Sequence, residues 1–275
     1  MHPTGPIPPP PAHRARVMWI EPDRVFYAGR LGAPKRRTLG AICLYVALDA
    51  PIRVSVDGER WLVGDLVLVP PHLPHLLACA TRHIADLLVE PETVDEAALP
   101  AYLRGGPRVV DAPQTHRRIL QAHARLGEAG DAGLAGTSFD EAFFGAALAP
   151  RRLDTRIAAV VEAIRRDPSA PSAAQACAAA AGLSFSRFLH LFKDETGVSF
   201  RSLRTWKRAR SLLRHVNRPS NLADVALVSG YPDSTHFSHS IRQVYGLTPR
   251  DLFAGSRDLV LVGREAVARG ATVHA

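Results

Sequence analysis

Cysteine is scarce in this sequence: the 275 residues include three, Cys43, Cys79 and Cys177, which lie far apart and form no CxxC pair. This pattern argues against a disulfide framework and fits a reducing cytoplasm. Long apolar runs are also lacking, and none approaches the roughly 18 residues that span a membrane. The proline-rich residues 1–15 lack the apolar core of a secretory signal and are typical of a disordered leader. We therefore expect a cytoplasmic protein with no membrane segment.

Acidic residues are in deficit in only one part of the chain. Residues 151–255 hold 16 Lys and Arg against 8 Asp and Glu, whereas the remainder carries 18 of each. The whole net charge of +8 therefore lies in one segment of 105 residues. This is either an ordinary solvated basic face or a polyanion-binding domain attached to a neutral one.

The neutral part changes pattern near residue 90. Residues 16–90 contain short alternating apolar runs, and Asp57-Gly58 is a strong hairpin signal between two of them, so a β-sandwich or small barrel is expected. Residues 91–150 are predicted to be helical, with a capping box at Ser138 and Glu141. Their apolar side chains, such as Phe139 and Phe143, could pack against the barrel or against a second copy of the chain.

The basic segment contains one short pattern twice. "SFSRFLHLFKDETG" begins at Ser184 and "DSTHFSHSIRQVYG" begins 49 positions later, and the alignment places Phe188 on Phe237 and His190 on His239. A short helix of mostly small and aliphatic residues and a glycine turn precede each copy, which predicts two helix-turn-helix units.

Helical periodicity divides each copy into two faces. Phe188, Leu191 and Phe192 should be core in the first copy, and Phe237 and Ile241 in the second. The outward set combines hydroxyl, imidazole and cationic groups with one aliphatic side chain, which are the types that reach base edges and phosphates. Its members are Ser186, Leu189, His190, Lys193, Thr235, Ser238, His239 and Arg242. Two ordinary amphipathic helices with solvated faces remain the alternative.

The segment between the copies predicts about 17 residues of helix, or about 26 Å, and its flanking turns make about 34 Å plausible, which is one turn of B-DNA. Two recognition helices at that spacing could enter successive major grooves. Several of the six cations on this helix are expected to neutralise phosphates. The six cations are Arg201, Arg204, Lys207, Arg208, Arg210 and Arg214.

Residues 153–253 resemble the DNA-binding domain of the AraC/XylS family of bacterial transcription regulators. The matching stretches are "GLSFSRFLHLFKDETGVSF", "RARSLL", "LADVALVSGY" and "HFSHSIRQVYGLTPRDL". The resemblance implies an all-α domain over residues 151–255, followed by a tail over 256–275. The base-facing residues that it implies are Phe185, Ser186, Leu189, His190, Ser234, Thr235, Ser238 and His239. Those implied nearer phosphates are Ser184, Lys193 and Arg242. Ile241 stands where the family usually has an aromatic residue.

The N-terminal half resembles, more loosely, the cupin-like effector or dimerisation domain of the same family. "GDLVLVPPHLPH" is similar to the second cupin motif, but no His-x-His precedes Gly64, so we expect neither a metal site nor another cofactor. His75 is expected to be a hydrogen-bonded turn histidine. An effector pocket would have unknown lining, with Trp19, Tyr27, Tyr45 and Trp61 as wall candidates or, for most of them, core residues.

The sequence thus predicts an α+β protein of two domains that acts as a sequence-specific, non-enzymatic transcription regulator. Its expected partners are double-stranded DNA, a small effector, a second copy of the chain and, if it is an activator, RNA polymerase. Two alternatives stay open. One is a cupin-type enzyme or metal-binding protein with an appended DNA-binding domain, and the other is a protein that binds DNA without sequence preference.

Overall fold

The computed structural model describes residues 15–33, 35–217, 221–256 and 258–263. The predicted leader, except for its last residue, and residues 264–275 of the predicted tail lie outside the described residues. Within the described ranges, no helix has both the length and the apolar character needed to cross a membrane.

Two sheets form the N-terminal domain, as the alternating apolar runs predict. Seven strands form one sheet in the order β10-β1-β2-β8-β3-β6-β9, and three form the other in the order β5-β4-β7. The strands are β1 (Val17–Ile20), β2 (Arg24–Arg30), β3 (Ile42–Ala47), β4 (Ile52–Ser55), β5 (Leu62–Gly64), β6 (Leu66–Val69), β7 (Leu76–Cys79), β8 (His83–Val89), β9 (Arg108–Val109) and β10 (Val260–Val262). The Asp57-Gly58 turn joins β4 to β5, which pair antiparallel.

Both faces of the large sheet are covered, so every residue of β3 is buried. Leu44 and its alternate neighbours pack towards α1 (Pro113–Ala129) and α2 (Phe139–Phe144), while Cys43 and Tyr45 pack towards the small sheet. The predicted capping box opens α2. The buried apolar side chains of α1 and α2 pack against their own sheet, so these side chains are not free to contact a second copy of the chain.

The C-terminal domain is helical and contains both predicted helix-turn-helix units. Its helices are α3 (Thr155–Arg166), α4 (Ala174–Ala180), α5 (Phe185–Thr196), α6 (Phe200–Ser211), α7 (Leu222–Val228), α8 (Ser234–Tyr245) and α9 (Pro249–Gly255). A 3-10 turn over Leu212–His215 extends α6. At about 1.5 Å per α-helical residue and about 2 Å per 3-10 residue, the connector is about 26 Å long, as expected.

The two units differ in how they are supported. The first unit, around Phe188 and Phe192, has a hydrophobic core of its own. The second unit, around Phe237 and Ile241, shares one continuous core with the inner face of the large sheet. Packing against the N-terminal domain therefore completes the second unit, whereas the first needs only its own helices.

The predicted tail is partly structured. After α9 the chain returns to the N-terminal domain, where β10 pairs in parallel with β1 through registers such as Val17 with Val260. This strand forms one edge of the large sheet and ties the end of the second unit to the N-terminal domain.

Candidate nucleic-acid interface

The first recognition helix, α5, has the inward face that periodicity predicts, although Leu191 is only half-buried against the core. Phe188 and Phe192 are fully buried and lie edge-on to the ring of Phe200, with centroids 5.4 and 5.3 Å away. Ser184 caps the helix, its Oγ accepting from the backbone N–H of Arg187 at 3.4 Å. The buried aromatic layer fixes the rotation of α5 and therefore which side chains point outward.

Most of the outward residues of α5 are exposed. Phe185, Ser186 and His190 are open to solvent, whereas Leu189 is half-buried. Lys193 is also exposed, but it lies beside a cleft of about 380 Å³ between α5 and the N-terminal domain, which His72 lines from the other side. The base-facing candidates thus share an accessible surface, with Lys193 at the margin nearest the N-terminal domain.

The second recognition helix, α8, follows the same plan. Asp233 caps it, accepting from the backbone N–H groups of Thr235 and His236 at 2.8 Å each. Phe237 and Ile241 are 2% and 0% exposed, so isoleucine fills the core where an aromatic residue is usual. The outward set comprises exposed Ser234, Thr235, His239 and Arg242 and half-buried Ser238.

Three further exposed residues lie on the outward faces of α5 and α8 and were not among the predicted site residues. Arg187 lies three residues before His190, and His236 lies three residues before His239. Gln243 lies four residues after His239. Helical spacing of three or four residues was the signal that could have identified them.

The connecting helix α6 turns two of its six cations away from solvent. Lys207 and Arg210 are 3% and 4% exposed and point towards the N-terminal domain, where neither can reach a phosphate. Lys207 Nζ contacts the carboxylates of Glu90 and Glu92, and Arg210 donates to backbone carbonyl groups of Glu21 and Arg24.

The other four cations of α6 and its 3-10 extension are also mostly engaged. Arg204 donates to the carbonyl groups of Ser172 and Ala170, and Arg208 lies over the ring of Tyr231. Arg214 is half-buried, and Arg201 alone among the six is exposed. This helix is therefore mainly a structural connector between the two helix-turn-helix units and the N-terminal domain.

The buried acidic pair is held by these cations. Burial opposes ionisation of Glu90, but the charges of Lys207 and Arg210 outweigh it and lower the pKa of Glu90. Burial and the neighbouring Glu90 charge raise the pKa of Glu92 to about 7. We refer to Glu90, Glu92, Trp206, Lys207 and Arg210 as the interdomain ion cluster.

His75 is hydrogen-bonded, as predicted. Its Nδ1 lies 2.7 Å from the Leu73 carbonyl oxygen and its Nε2 lies 2.7 Å from the Tyr45 hydroxyl. Burial lowers the pKa of His75 to about 4, so it is neutral at physiological pH. Across the described ranges, no group of three or more His, Cys, Asp or Glu side chains is placed to hold a metal ion.

A cavity of about 1530 Å³ lies between the large sheet and the second helix-turn-helix unit. Met18 and Leu88 line it from the sheet, and Tyr245 and Leu247 line it from the second unit. Of the four aromatic residues proposed as pocket walls, Tyr27 lines this cavity. The other three do not: Tyr45 is fully buried, Trp19 packs on Phe139 and Phe143, and Trp61 lies under Arg53.

The chain is similar in sequence to known proteins over part of its length. Residues 177–255 match a family model described as a helix-turn-helix domain. Over 72 residues the chain is 36% identical to the invasion protein InvF of Salmonella typhi and of Salmonella typhimurium. That match covers 26% of this chain and 33% of each relative, so it spans about a third of the length of these curated relatives.

The fold as a whole is similar to that of ToxT from Vibrio cholerae. One ToxT structure aligns with a TM-score of 0.53 at 10% identity, covering 86% of this chain and 99% of ToxT. Another, with an unsaturated fatty acid bound, aligns with a TM-score of 0.54 at 12% identity, covering 85% and 95%. Residues 177–255 thus form a helix-turn-helix domain of the AraC type, and the chain as a whole has the two-domain fold of ToxT.

Proposed function

We propose that this protein is a sequence-specific transcription regulator that reads two successive major grooves of duplex DNA with α5 and α8. The observation that carries the proposal is the matched pair of faces on these helices. Each helix buries its aromatic or aliphatic side and exposes a histidine at the equivalent position, His190 on α5 and His239 on α8. Exposed hydroxyl and imidazole groups on two helices joined by a connector of about 26 Å suit base edges one helical turn apart.

The test is selection of bound duplexes from a random library with the purified full-length chain. We expect a bipartite motif whose halves lie about 10 base pairs apart, centre to centre. Binding that depends on salt but enriches no sequence would favour a DNA-binding protein without sequence preference, because phosphate contacts carry no sequence information.

We further propose that a small organic effector controls this activity from the cavity between the domains. ToxT, a protein of similar fold, has been solved with an unsaturated fatty acid bound. In this chain the cavity is lined by both the sheet and the second DNA-binding unit, so an occupant would contact both. A cupin-type enzyme is the alternative, and turnover or stoichiometric metal in the purified protein would favour it.

The structure offers a short route from the cavity to α8. Arg37 lines the cavity, and the next residue, Thr38, donates its backbone N–H to the carbonyl of Val244 on α8 at 3.1 Å. The carbonyl groups of Lys35 and Arg36 lie against Gly246, the residue that ends α8. A ligand that moves Arg37 would therefore shift the segment that supports the second recognition helix.

A further inference from the structure

Two oppositely charged side chains line the cavity without pairing with each other. Arg37 and Asp86 are 7% and 9% exposed, and both belong to the cavity wall. Within the described part of the chain, no hydrogen-bond partner reaches Nε or Nη2 of Arg37, or Oδ1 of Asp86. Buried charged groups are normally paired or hydrogen-bonded, because an unpaired one is costly.

The fold prevents the neighbours of Asp86 from satisfying it. Asp86 lies on β8 directly between Tyr27 of β2 and Tyr45 of β3. The Tyr27 hydroxyl donates to the Arg30 carbonyl at 3.0 Å, and the Tyr45 hydroxyl is bound to His75. Both phenol groups are therefore engaged elsewhere, and Asp86 remains available to a molecule in the cavity.

Arg37 is held in place by its backbone rather than by its side chain. Its N–H and carbonyl pair with those of His75 at 2.9 and 3.0 Å. The backbone of Arg37 is thus fixed at the cavity wall, and its guanidinium offers donors that can bind a carboxylate or phosphate in two-point fashion. Apolar residues such as Met18, Val25, Leu39 and Leu88 form much of the rest of the wall, and further charged or ionisable residues also line it. They are Arg16, Arg30, Lys35, Asp49, Arg82, His83, Asp251 and Asp258.

We infer that the effector is an amphipathic acid whose head group carries a hydrogen-bond donor beside the acid group. The acid binds Arg37, the donor binds Asp86, and an apolar body packs on the remaining wall. Where Asp86 is ionised, a simple monocarboxylate satisfies Arg37 but brings its negative charge towards Asp86 and offers it no donor. This inference rests on the proposed effector site and specifies its chemistry.

The experiment compares two acids that differ by one hydroxyl group, decanoate and 3-hydroxydecanoate, by calorimetric titration into the full-length protein. The titration is carried out above the Asp86 pKa of about 7, where this carboxylate is ionised. We expect the hydroxy acid to bind roughly 10- to 100-fold more tightly, because an unpaired buried acceptor rejects the ligand that lacks the donor. Asp86→Leu, of similar size, should reduce the ratio to about two. Arg37→Met should weaken both acids by about tenfold or more.

Two controls separate folding and surface charge from recognition. Arg36→Gln removes an exposed cation next to Arg37 that does not line the cavity, and it should change the affinity for either acid by less than about threefold. The wild-type comparison needs no variant, so a misfolded Asp86→Leu protein leaves the test decisive.

Equal affinity of the wild-type protein for the two acids, or no binding of either up to about 1 mM, would overturn the inference. Selection of a DNA motif by the same preparation without ligand tests the proposed regulator separately. A protein that selects a motif but ignores both acids would retain the regulatory function and lose this effector chemistry. Tight decanoate binding that Asp86→Leu strengthens would instead identify a plain monocarboxylate as the ligand.

Discussion

Trp206 on α6 donates its indole N–H to Glu90 across the domain boundary, with Nε1 3.0 Å from Oε1. Lys207, the next residue, contacts Glu90 and also Glu92, whose Oε1 lies 2.5 Å from Nζ. These contacts tie the N-terminal domain to the one helix that joins both helix-turn-helix units. The N-terminal domain therefore holds the connector that sets the relation between α5 and α8.

Removing the Lys207 cation from the interdomain ion cluster should be costly. Lys207→Met leaves two buried carboxylates without their shared partner, so the free energy of unfolding should fall by about 3–5 kcal/mol. Urea unfolding of the full-length chain measures this. Arg201→Met on the same helix removes an exposed cation and should change the free energy by no more than about 0.5 kcal/mol. Equal midpoints for the two variants would contradict a buried role for Lys207.

Truncating the inward aromatic residues should destabilise each DNA-binding unit differently. Phe188→Ala and Phe237→Ala should each cost about 3–5 kcal/mol as core truncations. Because Phe188 lies in the separate core of the first unit, its loss should leave the N-terminal domain folded. Phe237 shares the core of the large sheet, so its loss should lower the melting temperature of the whole molecule. Wild-type thermal stability of both variants would show that the assigned inward faces are wrong.

The two histidines should read sequence. His190→Ala and His239→Ala should each lower affinity for the preferred site by about 1–3 kcal/mol and relax preference at one or two base pairs of one half-site. A neutral imidazole can donate a hydrogen bond to a base edge or accept one from it, whereas the alanine side chain can do neither. Binding-site selection at fixed salt is the measurement, and unchanged preferences in both variants would leave the histidines as solvent-facing groups.

The cations one turn further on serve as the matched comparison. Arg242→Ala and Lys193→Ala should weaken binding to all sequences about equally, and each should reduce the dependence of log affinity on log salt by about one. A salt slope that falls for Arg242→Ala and not for Lys193→Ala would assign Lys193 to the cleft beside the N-terminal domain.

The two glycines that end the recognition helices provide a matched pair. Gly197 and Gly246 have positive φ angles of 75° and 66°. A Cβ on Gly197 would meet only the Arg151 side chain at 4.0 Å, whereas one on Gly246 would lie 3.1 Å from the carbonyl oxygens of Lys35 and Arg36. Alanine should cost about 1–2 kcal/mol at Gly197 and more at Gly246. Equal losses in urea unfolding would argue against close contact between α8 and this segment.

Asp86 should make stability depend on pH. Burial raises its pKa to about 7, with the Arg37 charge opposing the shift. The folded state therefore binds the proton more strongly than the unfolded state, and stability falls as pH rises from about 4 to about 7. Asp86→Asn should remove a loss of about 4 kcal/mol across this window. Tyr27 and Cys43, which also feel the Asp86 charge, have pKa values raised by burial and do not titrate there. Parallel stability profiles for the wild type and Asp86→Asn would refute the shift.

Local pattern carried much of what could be predicted. The alternation around β3, the Asp57-Gly58 turn and the capping box at Ser138 encode their elements within a few residues, because side-chain period and turn chemistry are local properties. The inward positions of Phe188 and Phe237 follow from helical periodicity in the same way. The roles of the outward residues stay predictions, since exposure alone does not specify which of them touches a base.

The burial of the cations on α6 could not be predicted from local sequence pattern. Lys207 and Arg201 are indistinguishable as basic residues on an amphipathic helix, yet one is buried against carboxylates and the other is exposed. The carboxylate of Glu90 lies 117 positions from Lys207 in the chain, so no window of sequence relates them. Only packing of the second unit against the large sheet brings the two together.

The sequence by itself determined two helix-turn-helix units, their buried faces and a β-rich domain before them, because each depends on short-range periodicity. Tertiary structure decided that the second unit completes its core on that domain, that β10 returns to β1, and that Arg37 and Asp86 face one cavity. These features depend on contacts between distant segments, whose free energy arises only when the whole chain buries its apolar surface and leaves particular charged groups inside.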